Sequence, residues 1–220
     1  MPSIAKIIQL RELLAARGLA TAAKPRQCLL AGWPALDHAF GDGLPKGGIA
    51  ELHCDRHGGA LAVAQLLHAA ARARRFVALI DGADGFDPAS VDAAALAHLL
   101  WVRCRDAAQA VRAADLLLRD GNLPLVLINL RGCADAARVP GQAWYRLQRI
   151  VEQSGAALLA LTPRPMIPSA RVRVALHAVF TLDDLERDRD ELVAALQFET
   201  GRVQGARGFS EDEPQLAEVG

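Results

Sequence analysis

The stretch IAELHCDRHGGALAVAQLL, residues 49–67, joins a short apolar run, a glycine-bearing turn and an Ala- and Leu-rich segment, which is the local order of a phosphate-binding loop. A working loop reads G-x-x-x-x-G-K-[ST]: backbone N–H groups cradle the phosphates, the lysine neutralises the β and γ phosphates, and the hydroxyl holds Mg²⁺. Here Cys54 stands at the first glycine, Gly59 at the second, Ala60 at the lysine and Leu61 at the hydroxyl position. The amino end of the following helix still offers partial positive charge, but an Mg-nucleotide would lack its main counter-charges. Gly58 and Gly59 let the strand turn sharply into its helix. This degenerate pattern also fits a plain strand, turn and helix.

Two further strand ends carry polar groups. In DGADGFDP, 81–88, Asp81 and Asp87 suit a metal or a base pair, and beside Gly and Pro they are equally ordinary turn formers. Asn129 follows LPLVLI at the place where an Mg-assisting ATPase puts an acidic residue, and its neutral amide is a poor Mg²⁺ ligand.

The elements that must position these residues follow from the hydrophobic pattern. Apolar runs at 49–53, 76–80, 99–102, 125–128 and 157–161 have the length and flanks of strands buried on both faces. Between them, segments near 61–74, 89–97, 106–120 and 142–153 read as helices. Strand–helix alternation implies right-handed crossovers, a mostly parallel sheet, and chemistry beyond the carboxyl ends of the strands. RVRVALHAVFTL, 171–182, reads as a further strand, DDLERDRDELVAAL as a surface helix, and QFETGRV as a last strand. The expected organisation is an amphipathic helix over 1–18, a Pro- and Gly-rich linker and lead-in over 19–48 with a short helix near 33–40, an α/β core over 49–204, and a disordered acidic tail over 205–220.

Composition narrows the class. With 25 basic and 25 acidic residues the net charge is +0, so nothing global calls for nucleic acid or an anionic membrane. Cys28, Cys54, Cys104 and Cys133 are widely spaced and form no C-x-x-C pair, which reads as reduced thiols of a cytosolic protein and not as a zinc site or a disulfide framework. No signal peptide is expected at the charged N-terminus, and no window approaches the roughly 18 apolar residues of a membrane span.

The order of segments resembles the RecA ATPase core. AGWPALDHAFGDGLPKGGIAELHCDRHGGALAVAQLL, 31–67, is similar to its opening and phosphate loop. FVALIDGADGFDP, 76–88, is similar to its next strand and turn, and LLWVRCRDAAQAVRAADLLLRDGNLPLVLINL, 99–130, follows the path to its Walker B strand. Within that superfamily, 99–118 and RVPGQAWYRLQRIVE, 138–152, resemble the ImuA family, RecA-like accessory proteins of bacterial mutagenic translesion synthesis found beside an inactive polymerase-like partner, ImuB.

The resemblance implies that the phosphate-loop Lys maps to Ala60, its Thr to Leu61, the catalytic Glu to Ala83 and the Walker B Asp to Asn129, with TPRPMIPS where RecA keeps a γ-phosphate-sensing Gln. Losing counter-charge, metal ligand and base together implies no ATPase activity, no cofactor and a non-catalytic adaptor that contacts RecA and an ImuB-type protein. Partner contact is expected from the N-terminal helix through Ile4, Ile7, Ile8 and Leu14, with self-association as a further outcome, and from Trp144 and Tyr145, of which one aromatic is expected on the sheet. Weak DNA contact is weighed for Arg131, Arg138, Arg164, Arg171 and Arg173 against a solvated basic edge. The alternatives are a RecA-family DNA-dependent ATPase with an atypical site, opposed by Ala60, Leu61, Ala83 and Asn129, and a division inhibitor similar to SulA, opposed by the 138–149 block.

Overall fold

The computed structural model describes residues 27–54 and 57–203; the expected N-terminal helix, the first part of the linker and the acidic tail lie outside the described residues. The described chain is α/β, with a seven-stranded, mostly parallel sheet flanked by helices, consistent with a RecA-like core. The strands are β3 (Gly48–His53), β4 (Val77–Asp81), β5 (Leu99–Arg103), β6 (Leu125–Asn129), β7 (Ala157–Thr162), β8 (Val172–His177) and β9 (Gln197–Val203), in the order β5-β4-β6-β7-β3-β8-β9. All neighbours pair in parallel except β8 and β9, which are antiparallel.

Period-2 alternation splits each central strand between two cores. Leu79, Leu127 and Leu159 face one side, Ile80, Ile128 and Leu158 the other. The first side is covered by α2 (Gly59–Arg72) and α3 (Ala93–Leu96), with α6 (Arg189–Ala194) against α2; the second by α4 (Ala107–Asp120) and α5 (Gly141–Ser154). The chain therefore walks from β3 to the β5 edge with helices on one face and returns through β6 and β7 with helices on the other. Loops leaving β4 and β6 diverge in opposite directions, which opens the crevice typical of doubly wound sheets at their carboxyl ends.

Several expectations change in detail. The lead-in over 27–48 is not a loose linker. β1 (Cys28–Leu29) pairs with β2 (Leu44–Pro45), α1 (Pro34–Ala39) lies between them, and Leu36 and Leu44 are fully buried. The buried Asp37 carboxylate fastens this segment by accepting from the Ala31 and Gly32 backbone N–H groups at 2.6 and 3.1 Å. β5 is an edge strand, so Leu100 keeps 44% of its surface exposed. The expected helix at 89–97 breaks into a 3₁₀ turn, Pro88–Ser90, and the short α3. Asp87 and Asp92 each cap a new start by accepting from the N–H of Ala89 and Ala95. The surface helix expected before the last strand likewise splits, into a 3₁₀ turn over Asp183–Glu186 and α6.

Candidate functional site: a filled phosphate cradle

The residues singled out at the strand ends converge in the crevice. Cys54 ends β3, Asp81 ends β4 opposite Asn129 of β6, and Arg131 follows two residues later. Cys54 donates its Sγ hydrogen to the His57 carbonyl at 2.7 Å, closing the turn, and its N–H donates to the Thr162 carbonyl. Gly58 then adopts φ +85° as the N-cap of α2. A Cβ here would lie 2.7 Å from Leu196 Cδ2, so both the left-handed backbone and the close packing against the β8–β9 excursion require glycine.

Gly59 leaves room for a side chain that its own sequence does not announce. A Cβ at Gly59 would overlap the Arg131 guanidinium, which lies directly against the first turn of α2. Asn129 aims it there: its Oδ1 accepts from Arg131 Nε at 3.1 Å and from the Arg131 N–H at 3.4 Å. Burial is the largest influence on this arginine and draws its pKa down, while Cys54 and Asp81 act in the opposite direction and favour the charged form. The strand-end Asn129 thus anchors an arginine.

Among the described residues no side chain caps α2, and Ala60 and Leu61 present neither the charge nor the hydroxyl of a phosphate loop: Ala60 is exposed and Leu61 packs into the first core. An Mg-nucleotide does not fit these residues. The space beside Gly59 is filled by a cation already held in the protein, and the positions that would bind magnesium are Leu61 and Asn129. Ala83 lies exposed on the loop after β4, its methyl group against Gly132. Asp81, fully buried, accepts from the Phe86 N–H at 2.7 Å through Oδ2, while its Oδ1 has no hydrogen-bond partner. It therefore folds the 82–86 loop back on the strand end.

Against known proteins, no family model matches the chain and no curated relative is found.

Cys104 and Cys133 lie near Asp81. Burial, then Asp135 and Asp81, pushes the Cys133 thiol up to about 11, and burial followed by Asp81 also raises Cys104. Both are held as neutral thiols at physiological pH. Among the described residues, no group of three or more His, Cys, Asp or Glu side chains has the geometry to hold a metal ion.

The structure divides the arginines weighed for DNA. Arg131 points inward at the cradle, and only Arg138 and Arg164 stand exposed on the loops beyond the carboxyl ends of β6 and β7. Arg171 lies at the other end of the sheet, where its N–H donates to the Ile49 carbonyl and its guanidinium binds Glu152 at 3.1 Å. Arg173 is consumed by a buried pair, with Nε 2.6 Å from Oε2 of the fully buried Glu51. These five residues therefore do not form one basic surface.

Trp144 is also corrected. It is fully buried in the second core and cannot anchor a partner, whereas Tyr145, next on α5, is 55% exposed. The expected contact residues Ile4, Ile7, Ile8 and Leu14 lie outside the described residues.

Glu51 is a structural residue that pattern reading misses. Its carboxylate accepts from Thr162 Oγ1, the N–H groups of Met166 and Ile167, and Arg173 Nε. One buried charge thus pins the 163–171 crossover against the sheet. An acidic residue inside the apolar run IAELH is the one signal that could have drawn attention to it, since a buried carboxylate demands partners.

Proposed function

We propose that this chain is a non-catalytic, RecA-like adaptor in damage-induced translesion DNA synthesis, working in the cytoplasm and contacting RecA and an ImuB-type polymerase-like partner. The observation that supports the non-catalytic half is the Arg131 guanidinium laid against Gly59, with Ala60, Leu61 and Asn129 at the positions of the absent Lys, hydroxyl and acid. Phosphoryl transfer rests on positioned charge around the phosphates and their metal, and here Asn129 stands in place of the acid while the Arg131 guanidinium occupies the space beside Gly59. The pathway half rests on the resemblance of 99–118 and 138–152 to ImuA proteins. A scaffold of this kind would act through its surfaces.

Two measurements test the reading. Purified chain with Mg-ATP, with and without single-stranded DNA, is expected to show no turnover above the buffer rate. Mg²⁺-dependent turnover abolished by Asp81→Asn would overturn the adaptor reading in favour of a RecA-family ATPase, the alternative that the unpartnered Asp81 Oδ1 favours. A pull-down from DNA-damaged cells is expected to recover RecA and a Y-family-like protein, and recovery of neither would refute the pathway assignment.

A further inference from the structure

The block RVPGQAWYR has a second consequence, independent of the adaptor reading. Where Val139 and Pro140 lead into α5, they meet the first turns of α4 across a groove of about 220 Å³ lined by Ala108, Val111, Val139, Pro140 and Ala143. Its lining is apolar, and the small side chains of Ala108 and Ala143 create the space. Val111 is a buried floor residue. One turn further along both helices, Arg146 of α5 lies 3.6 Å from Asp115 of α4, closing that end of the groove with an ion pair. Asp135, also in the lining, spends its carboxylate on the Ala107 N–H at the start of α4.

Asp135 keeps its negative charge, and two guanidinium groups stand near it at the rim. Arg138 lines the groove and is exposed, its guanidinium without a hydrogen bond or ion pair among the described residues, and Arg112, one helical turn from Ala108, is exposed without an ion pair among them. The groove therefore suits an extended segment that carries an aliphatic side chain beside carboxylates.

This chain contains such a segment. Residues 204–220, QGARGFSEDEPQLAEVG, carry Glu211, Asp212, Glu213 and Glu218 against one arginine, Arg207, with Leu216 and Val219 among them. They follow β9, and the 13 residues from 204 to Leu216, extended, span up to roughly 45 Å, against a breadth of roughly 40 Å for a domain this size.

We propose that the acidic segment 204–220 docks intramolecularly in the α4–α5 groove, an aliphatic side chain entering between Ala108 and Ala143 and its carboxylates meeting Arg138 and Arg112. The interaction is shallow and charge-assisted, so it weakens with salt.

Hydrogen exchange read by mass spectrometry on the full chain tests it. Amides of 210–219 are expected to exchange about tenfold more slowly than in an unstructured peptide, independently of protein concentration, with the protection lost at high salt. Arg138→Glu and the groove-filling Ala143→Phe are each expected to abolish the protection, and Arg138→Lys to keep it. A thermal melt confirms that each variant is folded; Arg138 is exposed, so its variants test the proposal even if Ala143→Phe fails to fold. Exchange of the wild-type segment at the unstructured rate overturns the proposal, as does protection that survives both Arg138→Glu and Ala143→Phe. Protection that grows with concentration, together with a dimer in sedimentation, assigns the groove to a second copy and overturns intramolecular docking.

Discussion

Replacing Arg173 by methionine removes the only cation that, among the described residues, faces Glu51 in its buried site. Glu51 has no exposed surface and holds four donors: Thr162 Oγ1 at 3.0 Å, the N–H groups of Met166 and Ile167 at 2.7 and 3.2 Å, and Arg173 Nε at 2.6 Å. Breaking a buried pair from one side costs about 3–5 kcal/mol, because the remaining charge stays desolvated. The three uncharged donors that survive hold the loss to the lower end, about 3 kcal/mol. For a domain of this size that is a Tm shift of roughly 6–12 °C. Urea denaturation followed by tryptophan fluorescence measures the first quantity and calorimetry the second. Exchange of the 164–170 amides should also accelerate, since Glu51 holds Met166 and Ile167. A loss below about 1 kcal/mol with unchanged exchange in 164–170 would refute the reasoning, because it would mean that the uncharged donors alone satisfy the carboxylate.

The other predictions address the cradle, the core and the thiols. Gly59→Ala should destabilise by about 1–3 kcal/mol through collision with the Arg131 guanidinium, and the same change in an Arg131→Ala background should cost much less; equal losses in both backgrounds would show that the arginine does not fill the cradle. Trp144→Ala should cost about 3–5 kcal/mol in urea denaturation, and Tyr145→Ala less than about 0.5, with similar values for the two counting against the burial difference. For Cys133 the folded thiol titrates near 11 against an ordinary 9.0, so its stability contribution is complete below pH 9 and is lost as pH rises through about 11. The urea midpoint of the wild type should therefore fall over that window more than that of Cys133→Ala, and parallel pH profiles would remove the thiol from the account.

Much of the scaffold is legible in the chain because its signals are local. A buried parallel strand needs a continuous apolar run and an amphipathic helix needs its period, so β3, β4, β6 and β7, with α2, α4 and α5, fall within a residue or two of where the pattern puts them. Where competing local chemistry intervenes, the pattern misleads. The apolar stretch at 89–97 hides two aspartate caps that restart the backbone, and the Pro- and Gly-rich lead-in conceals Asp37, whose carboxylate ties two backbone N–H groups into a packed turn. β5 reads as buried because its own residues are apolar, yet nothing in those five residues says that no strand will pair beyond it.

The proposal that the phosphate chemistry is lost rests on sequence alone: Ala60, Leu61, Ala83 and Asn129 stand where the RecA resemblance would put a lysine, a hydroxyl and two acids. What fills the vacated space was decided only in three dimensions. Arg131 meets Gly59 across 72 residues, Arg173 meets Glu51 across 122, and Arg171 lies at the opposite end of the strands from Arg138 and Arg164. Periodicity reports which side of its own element a residue faces, whereas the partner it meets depends on the order in which the strands assemble. That order gives Arg131, weighed from the sequence as a DNA contact, its place as the internal plug of the cradle.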